Sequence, residues 1–471
     1  MTGLQHLFAR YEYKWLVAVA FTFGVFMDML DTTILNVALP ALSSEFNAST
    51  ETLQWVITGF LLSLAISVPA SGWIGDRFGS KRTFLASVGS FVVASALCGL
   101  AWSIESLIFF RVIQGIGGGL MTPVGMAMLY RAFSVQERAR ASAILTIPTS
   151  IAPIVGPLLG GYLVDTASWR WVFFINLPIG VVAFVFAWYA LREHREASVG
   201  RFDPWGFILA GAGLSGALLA LTRWPKHGAS DPAIWALGLG SIVCFVLLVI
   251  VERRTPSPMI DLGLFRDRMF RIGIATAFVA NAVVSGVMFL MPLYLQQIRG
   301  FSAFDSGLAT FTQTLGALVM TQFTARTYTR LGPRRNLLIG LSGMAITTAM
   351  LVWLGLETDL WWVRTLLFFR GTFNAFIFIS AQSSAYARLP REKIGLAASV
   401  YQMQRQVGSA PCGLVGGTRC SRHAGTKPTR KQSPPQRHDE GPKPADSSGT
   451  AARPGRDRLN RCVGRIAALS Q

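Results

Sequence analysis

The chain has 471 residues, of which 52% are hydrophobic and only 14% charged, with a mean hydropathy of +0.44. A soluble domain carries about a quarter charged residues, and one of this length has no means of burying so much apolar surface. The formal net charge of +19 would suggest nucleic acid in a soluble protein, but the positive charges sit in loops between apolar runs, the pattern of a membrane protein oriented by its basic loops.

The first apolar run, residues 15–39, is long enough to cross a bilayer and too long for a removable signal peptide. It carries Asp28 and Asp31 one helical turn apart, so their carboxylates share a helix face. At about 1.5 Å per residue both fall roughly 20–24 Å along the span, inside a hydrocarbon layer of about 30 Å. Intramembrane carboxylates are costly and line ion or proton paths; the plainer alternative is that one of them bonds a neighbouring helix. The second and third runs, 52–72 and 83–102, are joined by GWIGDRFGSKR at 72–82. This short turn contains Gly72, Asp76, Arg77, Gly79, Lys81 and Arg82. Lipid leaves no other way to satisfy the backbone of two adjacent spans than a helical hairpin, and the three positive charges place its turn in the cytoplasm. Arg10 and Lys14 before the first span, and Arg131, Arg138 and Arg140 in the next loop on that side, predict a cytoplasmic N-terminus.

Runs at 105–129, 141–164 and 171–191 complete a group of six, the usual half of a transporter built from repeats. Arg111 lies within the fourth run, about 10 Å from its outer end, where an arginine can snorkel to the interface. The fifth run holds GPLLGG, with Gly156, Pro157, Gly160 and Gly161, a helix-bending proline among glycines that let helices approach.

A polar linker, 192–203, precedes two more runs at 204–222 and 233–251, then an Arg- and Pro-rich segment. Four further runs follow at 271–295, 306–325, 336–356 and 361–384, with a weak thirteenth at 396–417. Thr329–Arg335 repeats the register of Asp76–Arg82, and FFR at 368–370 repeats FFR at 109–111, so Arg370 stands where Arg111 does in the first half. The reading is an all-α membrane protein with a first bundle at 1–191, a linker with two extra spans at 192–260, an incomplete second bundle at 261–417 and a tail at 418–471. The tail is rich in Arg, Pro, Gly and Ser, which predicts disorder, and a reading-frame change near 410–418 is one account of it. Arg405 near the centre of the thirteenth run predicts poor insertion, a cytoplasmic tail and weakened transport.

Other chemistry finds no support. GAGLSG at 211–216 matches a dinucleotide pattern but lies inside a spanning run without the required strand. Cys98, Cys244, Cys412, Cys420 and Cys462 lack metal-type spacing, and all five histidines lie outside the spans. No enzyme, cofactor, metal site or nucleic-acid partner is expected.

LDTTILNVALP at 30–40, LQWVITGFLL at 53–62, the turn at 72–82, RVIQGIGGG at 111–119, GPLLGG at 156–161, SWRWVFFINLPIG at 168–180 and PMIDLGLFRDRMFR at 258–271 together resemble the major facilitator superfamily. Within it they are similar to the fourteen-helix drug:proton antiporter branch, over residues 10–410. The resemblance implies a two-bundle transporter of the cytoplasmic (plasma) membrane that alternates access and exports small lipophilic, often cationic compounds in exchange for protons. It implies proton or substrate coupling at Asp31, which falls in the family motif, a proton-relay role for Arg111, a gating role for the 72–82 turn and an antiporter role for GPLLGG; Asp28 does not clearly match the motif, and its coupling reading rests on its place inside the span. Relatives finish a fourteenth helix where this chain turns polar. That departure leaves a non-transporting remnant, a membrane sensor on the same scaffold, or an exporter of an endogenous lipid or metabolite as alternatives.

Overall fold

The apolar runs become helices, several of which start at a polar cap. In the computed structural model, which describes residues 11–196, 199–227, 231–301, 303–355 and 357–409, the first half consists of α1 (Tyr13–Phe46), α2 (Thr50–Phe78), α3 (Ser80–Gly99), α4 (Ile104–Ala132), α5 (Arg138–Thr166) and α6 (Asn176–Ala190). A four-residue helix, Trp171–Phe174, leads into α6. The linker hairpin is α7 (Pro204–His227) and α8 (Pro232–Glu252). The second half has α9 (Arg268–Leu293), a stretch Ala303–Met350 broken at Gly332 into α10 and α11, then α12 (Leu360–Tyr386) and α13 (Ile394–Ser409). Ser49, Asp267 and Asp359 accept from backbone N–H groups at the starts of α2, α9 and α12, and Ser103 and Ser106 form a reciprocal capping box on α4, the devices that satisfy otherwise orphaned donors. Ten of the described helical stretches are long and apolar enough to cross a membrane. The readings of Arg10, residues 410–417, the tail and Cys412, Cys420 and Cys462 fall outside the described residues.

The internal repeat predicted from the two basic turns is present in the backbone. Gly79 has φ of 100° between α2 and α3, and Gly332 has φ of 80° between α10 and α11, a region that side-chain-bearing residues avoid. Both halves therefore reverse direction at the same register position.

Helices α1–α6 form one bundle, with α1 against α5 and α4 against both α2 and α3; α12 packs on α9, α10 and α11 in the other. The α7–α8 hairpin lies outside, with α7 against α2. The bundles meet where α13 contacts α2 and α4, and where α5 contacts the α10–α11 stretch and α12. The apolar cluster at the end carrying the Gly79 turn is shared by both bundles, joining Leu129 and Tyr130 to Tyr386, Ala397 and Tyr401. At the other end the clusters keep to one bundle each: Ile34, Leu42, Leu53 and Val172 in the first, Met291, Leu295, Val363 and Leu367 in the second. The molecule is thus closed between bundles at the turn end.

The polar linker after α6 folds back onto the first turn. Glu193 Oε1 accepts from Lys81 N at 3.0 Å and Oε2 from Arg82 N at 3.3 Å, so its carboxylate caps α3 from outside the helix. Lys81 Nζ reaches Trp188 O at 2.5 Å near the end of α6. Glu193→Ala is expected to lower stability by about 1 kcal/mol, the usual cost of losing such a cap, as a drop in the thermal unfolding midpoint; an unchanged midpoint would contradict this assignment.

Candidate functional site

The charged residues of α1 and α4 meet inside the first bundle. Asp31 and Arg111 are each 1% exposed, and Arg111 Nη1 donates to Asp31 Oδ2 at 2.5 Å. Arg111 does not snorkel. Its Nε donates to Val56 O at 3.2 Å, and its guanidinium carbon lies 4.2 Å from the centre of the Phe60 ring, within cation–π range. Asp31 Oδ1 accepts from Gln114 Nε2 and Asn176 Nδ2, both at 2.9 Å, and Gln114 Oε1 in turn accepts from Arg111 Nη1 at 2.8 Å. Asn176 is oriented by Ser95 Oγ at 3.1 Å. An ion pair this far from water holds only when its remaining polar valences are filled, and here side chains of α1, α3, α4 and α6 fill them.

Asp28 shares the α1 face with Asp31, as the spacing predicts, but not its partners. It is 4% exposed, and its Oδ1 has no hydrogen-bond partner. Gly118 of α4 faces it, where a Cβ would stand 3.1 Å from that oxygen.

Across the repeat, the acid is missing. Arg370 is wholly buried and donates to Gln313 Oε1 at 2.9 Å and Val283 O at 3.0 Å. No carboxylate comes within ion-pair distance of it among the described residues. Phe60 and Gln313 stand equally far from their turn glycines, and Asp31 and Val283 equally far from Pro40 and Pro292. The second half therefore keeps the arginine and replaces Phe60 by an amide and Asp31 by a backbone carbonyl.

At the turn end, Asp76 Oδ1 accepts from Arg131 Nη2 at 2.8 Å. The same carboxylate lies against the start of α13, where a Cβ on Gly395 would come 2.9 Å from Oδ2, the position at which a helix N-terminus favours negative charge. Gly72 N donates to Ser399 Oγ at 3.0 Å, and Ser71 and Ser399 share a hydrogen bond of 2.9 Å. Around this contact the Tyr130 and Tyr386 rings stack at 4.2 Å, Arg131 Nε donates to Arg391 O at 3.3 Å, and Arg138 donates to Tyr386 O. Of the turn residues singled out in the sequence, Gly72 and Asp76 touch the second bundle. Lys81 and Arg82 bind the linker instead, Arg82 lying 3.6 Å from Glu193. Arg77 is exposed.

In α5, Gly156 lies against Thr33 and Ile34 of α1, and Gly160 against Ile34 and Val37; Thr33 Oγ1 also donates to Ala152 O at 3.3 Å. Pro157 is one of three prolines inside α5, with Pro148 and Pro153. Gly161 has open space beside it. The motif thus seats α5 on the turn of α1 that follows Asp31. Sequence reasoning did not single out Gln114, Asn176 or Ser399, and it named Arg131 only as a basic loop residue. Gln114, three residues beyond Arg111, was findable because that spacing puts both on one face of α4; Asn176 and Ser399 carried no such signal.

The Major Facilitator Superfamily model matches residues 21–411. Over 376 residues, 80% of each chain, the sequence is 35% identical to a protein of Pectobacterium carotovorum subsp. carotovorum that carries the name MdtD, for multidrug resistance. It is 33% identical over 416 residues, 87% of each, to its namesake from Klebsiella pneumoniae subsp. pneumoniae. Among solved structures, the human organic anion transporter MFSD10 superposes with a TM-score of 0.62 at 16% identity, covering 86% of this chain and 93% of that one. The proton:xylose symporter XylE does so with a TM-score of 0.62 at 14% identity, covering 86% and 88%.

Proposed function

Since the chain belongs to the Major Facilitator Superfamily and is therefore a multi-pass membrane transporter and not an enzyme, we propose that it is a proton-coupled efflux transporter that exports lipophilic compounds by alternating access. The observation that carries this reading is the unequal treatment of two neighbouring acids, Asp31 locked to Arg111 and Asp28 left with an unpartnered buried oxygen. Taking up a proton at Asp31 breaks an ion pair and two further hydrogen bonds, whereas the buried Oδ1 of Asp28 has no hydrogen bond to lose. Asp28 is accordingly the exchangeable site, for which proton and substrate compete, and Asp31–Arg111 is the fixed frame that holds it in place. Relatives named for multidrug resistance support a drug-like cargo.

The turn end, with Arg77, Lys81, Arg82, Arg330, Arg334 and Arg335 exposed or partly exposed, is assigned to the cytoplasm by the positive-inside rule, in the cytoplasmic membrane. The closed contact between bundles then lies on the cytoplasmic side, and the state is the outward-facing member of the cycle. Transport into inverted vesicles under an imposed proton gradient tests the reading. Gradient-dependent uptake of a lipophilic dye is expected, and its absence from correctly inserted protein would overturn the proposal.

Asp76 is assigned to the gate. Asp76→Asn removes a charge-assisted bond to Arg131 and a favourable charge at the start of α13, which is expected to weaken the closed contact by about 1–3 kcal/mol. The measurement is thiol labelling of Ser399→Cys, which should accelerate in the Asp76→Asn background and not in Arg77→Ala. Equal acceleration by both variants would place the gate elsewhere on the turn.

A further inference from the structure

Two acids are buried together where the linker hairpin begins and ends. Asp203 caps the start of α7, its Oδ1 accepting from Gly206 N at 2.9 Å, and Glu252 closes α8, its Oε1 accepting from Ile260 N at 3.0 Å. They are 6% and 4% exposed, and the second oxygen of each, Asp203 Oδ2 and Glu252 Oε2, is buried without a hydrogen-bond partner. The carboxylates face each other across the space beside Gly206, where a Cβ would run into Asp203 Oδ2 and stand 2.8 Å from Glu252 Oε1. Among the described residues no cation pairs with either acid. The flanking Arg201, Arg253 and Arg254 are exposed, as is Arg77 on the end of α2 that packs nearby. Lys393 is taken by Asp261 at 2.5 Å, and Arg131 by Asp76 at 2.8 Å.

Each acid is tied to a different bundle. Just before Asp203, Gly200 O accepts from Trp73 Nε1 at 2.9 Å and the Phe202 ring lies 5.0 Å from that of Trp73, the residue after Gly72 on α2. Beyond Glu252, Met259 and Ile260 are buried, and Asp261 holds Lys393, the residue before α13. The two carboxylates thus complete a chain of contacts from α2 to α13, beside the Gly72–Ser399 hydrogen bond. Carboxylates this close, away from water and cations, do not both carry charge. One proton between them gives an unpartnered oxygen its donor and makes a strong bond to a charged acceptor; its loss leaves two like charges that push the linker away from residues 253–261. We propose that Asp203 and Glu252 share a proton that clasps the cytoplasmic contact shut, and that an alkaline cytoplasm releases the clasp. An exporter that lets protons in is thereby held outward-facing as the cytoplasm acidifies. The clasp rests on the reading of the turn end as the cytoplasmic gate, and not on proton exchange at Asp28.

The test is the rate of thiol labelling of Ser399→Cys, followed at that peptide by mass spectrometry in purified full-length protein in lipid nanodiscs, with no substrate and no gradient. Glu252→Gln and Asp203→Asn each fix a neutral donor in the pair, and asparagine keeps the helix cap, so both should hold the contact closed at every pH. The Ser399→Cys rate without either change, divided by its rate in Glu252→Gln to remove the thiol's own pH dependence, is expected to rise about threefold or more between about pH 6 and 8; a proton held only by the closed state sets a ceiling of about tenfold per pH unit. Asp203→Asn should follow the same flat profile as Glu252→Gln. A constant ratio, or a rise in Asp203→Asn equal to that of the unchanged pair, overturns the inference and leaves any pH dependence to Asp76 and Arg131, which these variants keep intact. Faster labelling at every pH in both variants overturns it too, since it gives the pair a packing role only. Labelling that responds as expected in protein that moves no protons would refute the coupling and leave the clasp standing, and proton-coupled export without the labelling response would do the opposite.

Discussion

Asp31→Asn is expected to destabilise the protein by about 3–5 kcal/mol, the cost of removing one partner of a buried ion pair. The amide preserves the shape of the side chain, but shape is the smaller part of what Asp31 supplies. Without its charge, Arg111 is left 1% exposed beside Phe60 and a backbone carbonyl, and Gln114 and Asn176 lose an anionic acceptor. Replacing both charges together, as Asp31→Leu with Arg111→Met, should cost far less than the sum of the single changes, because buried ion pairs give little over well-packed apolar groups of similar volume. Denaturant unfolding in detergent measures all three variants. A loss below about 1 kcal/mol for Asp31→Asn would mean that the pair does not form in the membrane-embedded protein.

Asp28→Asn is expected to do the reverse: to leave stability nearly unchanged and to abolish gradient-driven export. Its Oδ1 has no hydrogen-bond partner to lose, so the amide disturbs little of the packing, but it cannot titrate. Facilitated movement of substrate down its own gradient should persist in this variant while accumulation against a gradient disappears. Gradient-driven accumulation at the wild-type rate would remove Asp28 from the coupling step.

Much of the scaffold was legible because its signals are local. Among the described residues each apolar run holds one long helix, the last of them as far as Ser409, and the turn glycines Gly79 and Gly332 are a backbone requirement that the repeated basic motif announces. Asp31 and Arg111 were visible as misplaced charges, since a charge within an apolar run needs a partner. Which acid takes the arginine was not visible, because Asp28 and Asp31 share a face of α1 and the choice is made by where α4 and α6 bring Gln114 and Asn176. Arg405 shows in one dimension as a charge near the centre of a weak span, and the helices that α13 meets, α2, α4 and α9, come from parts of the chain that no local pattern links to it. The contact between the bundles was half legible: Asp76 stood out in its turn, while Gly395 and Ser399, which lie against that turn, look like small residues of an ordinary helix. Arg77 drew attention as one of three positive charges, and it is exposed.

The central claim is that proton exchange at Asp28 drives export, and proton movement measured in sealed proteoliposomes tests it most directly. With a pH-sensitive dye inside and no imposed gradient, adding a transported substrate outside should drive protons out as the substrate enters, with Asp31→Glu retaining the response and Asp28→Asn lacking it. Substrate entry without any proton movement in the wild type, or an undiminished proton response in Asp28→Asn, would contradict the account.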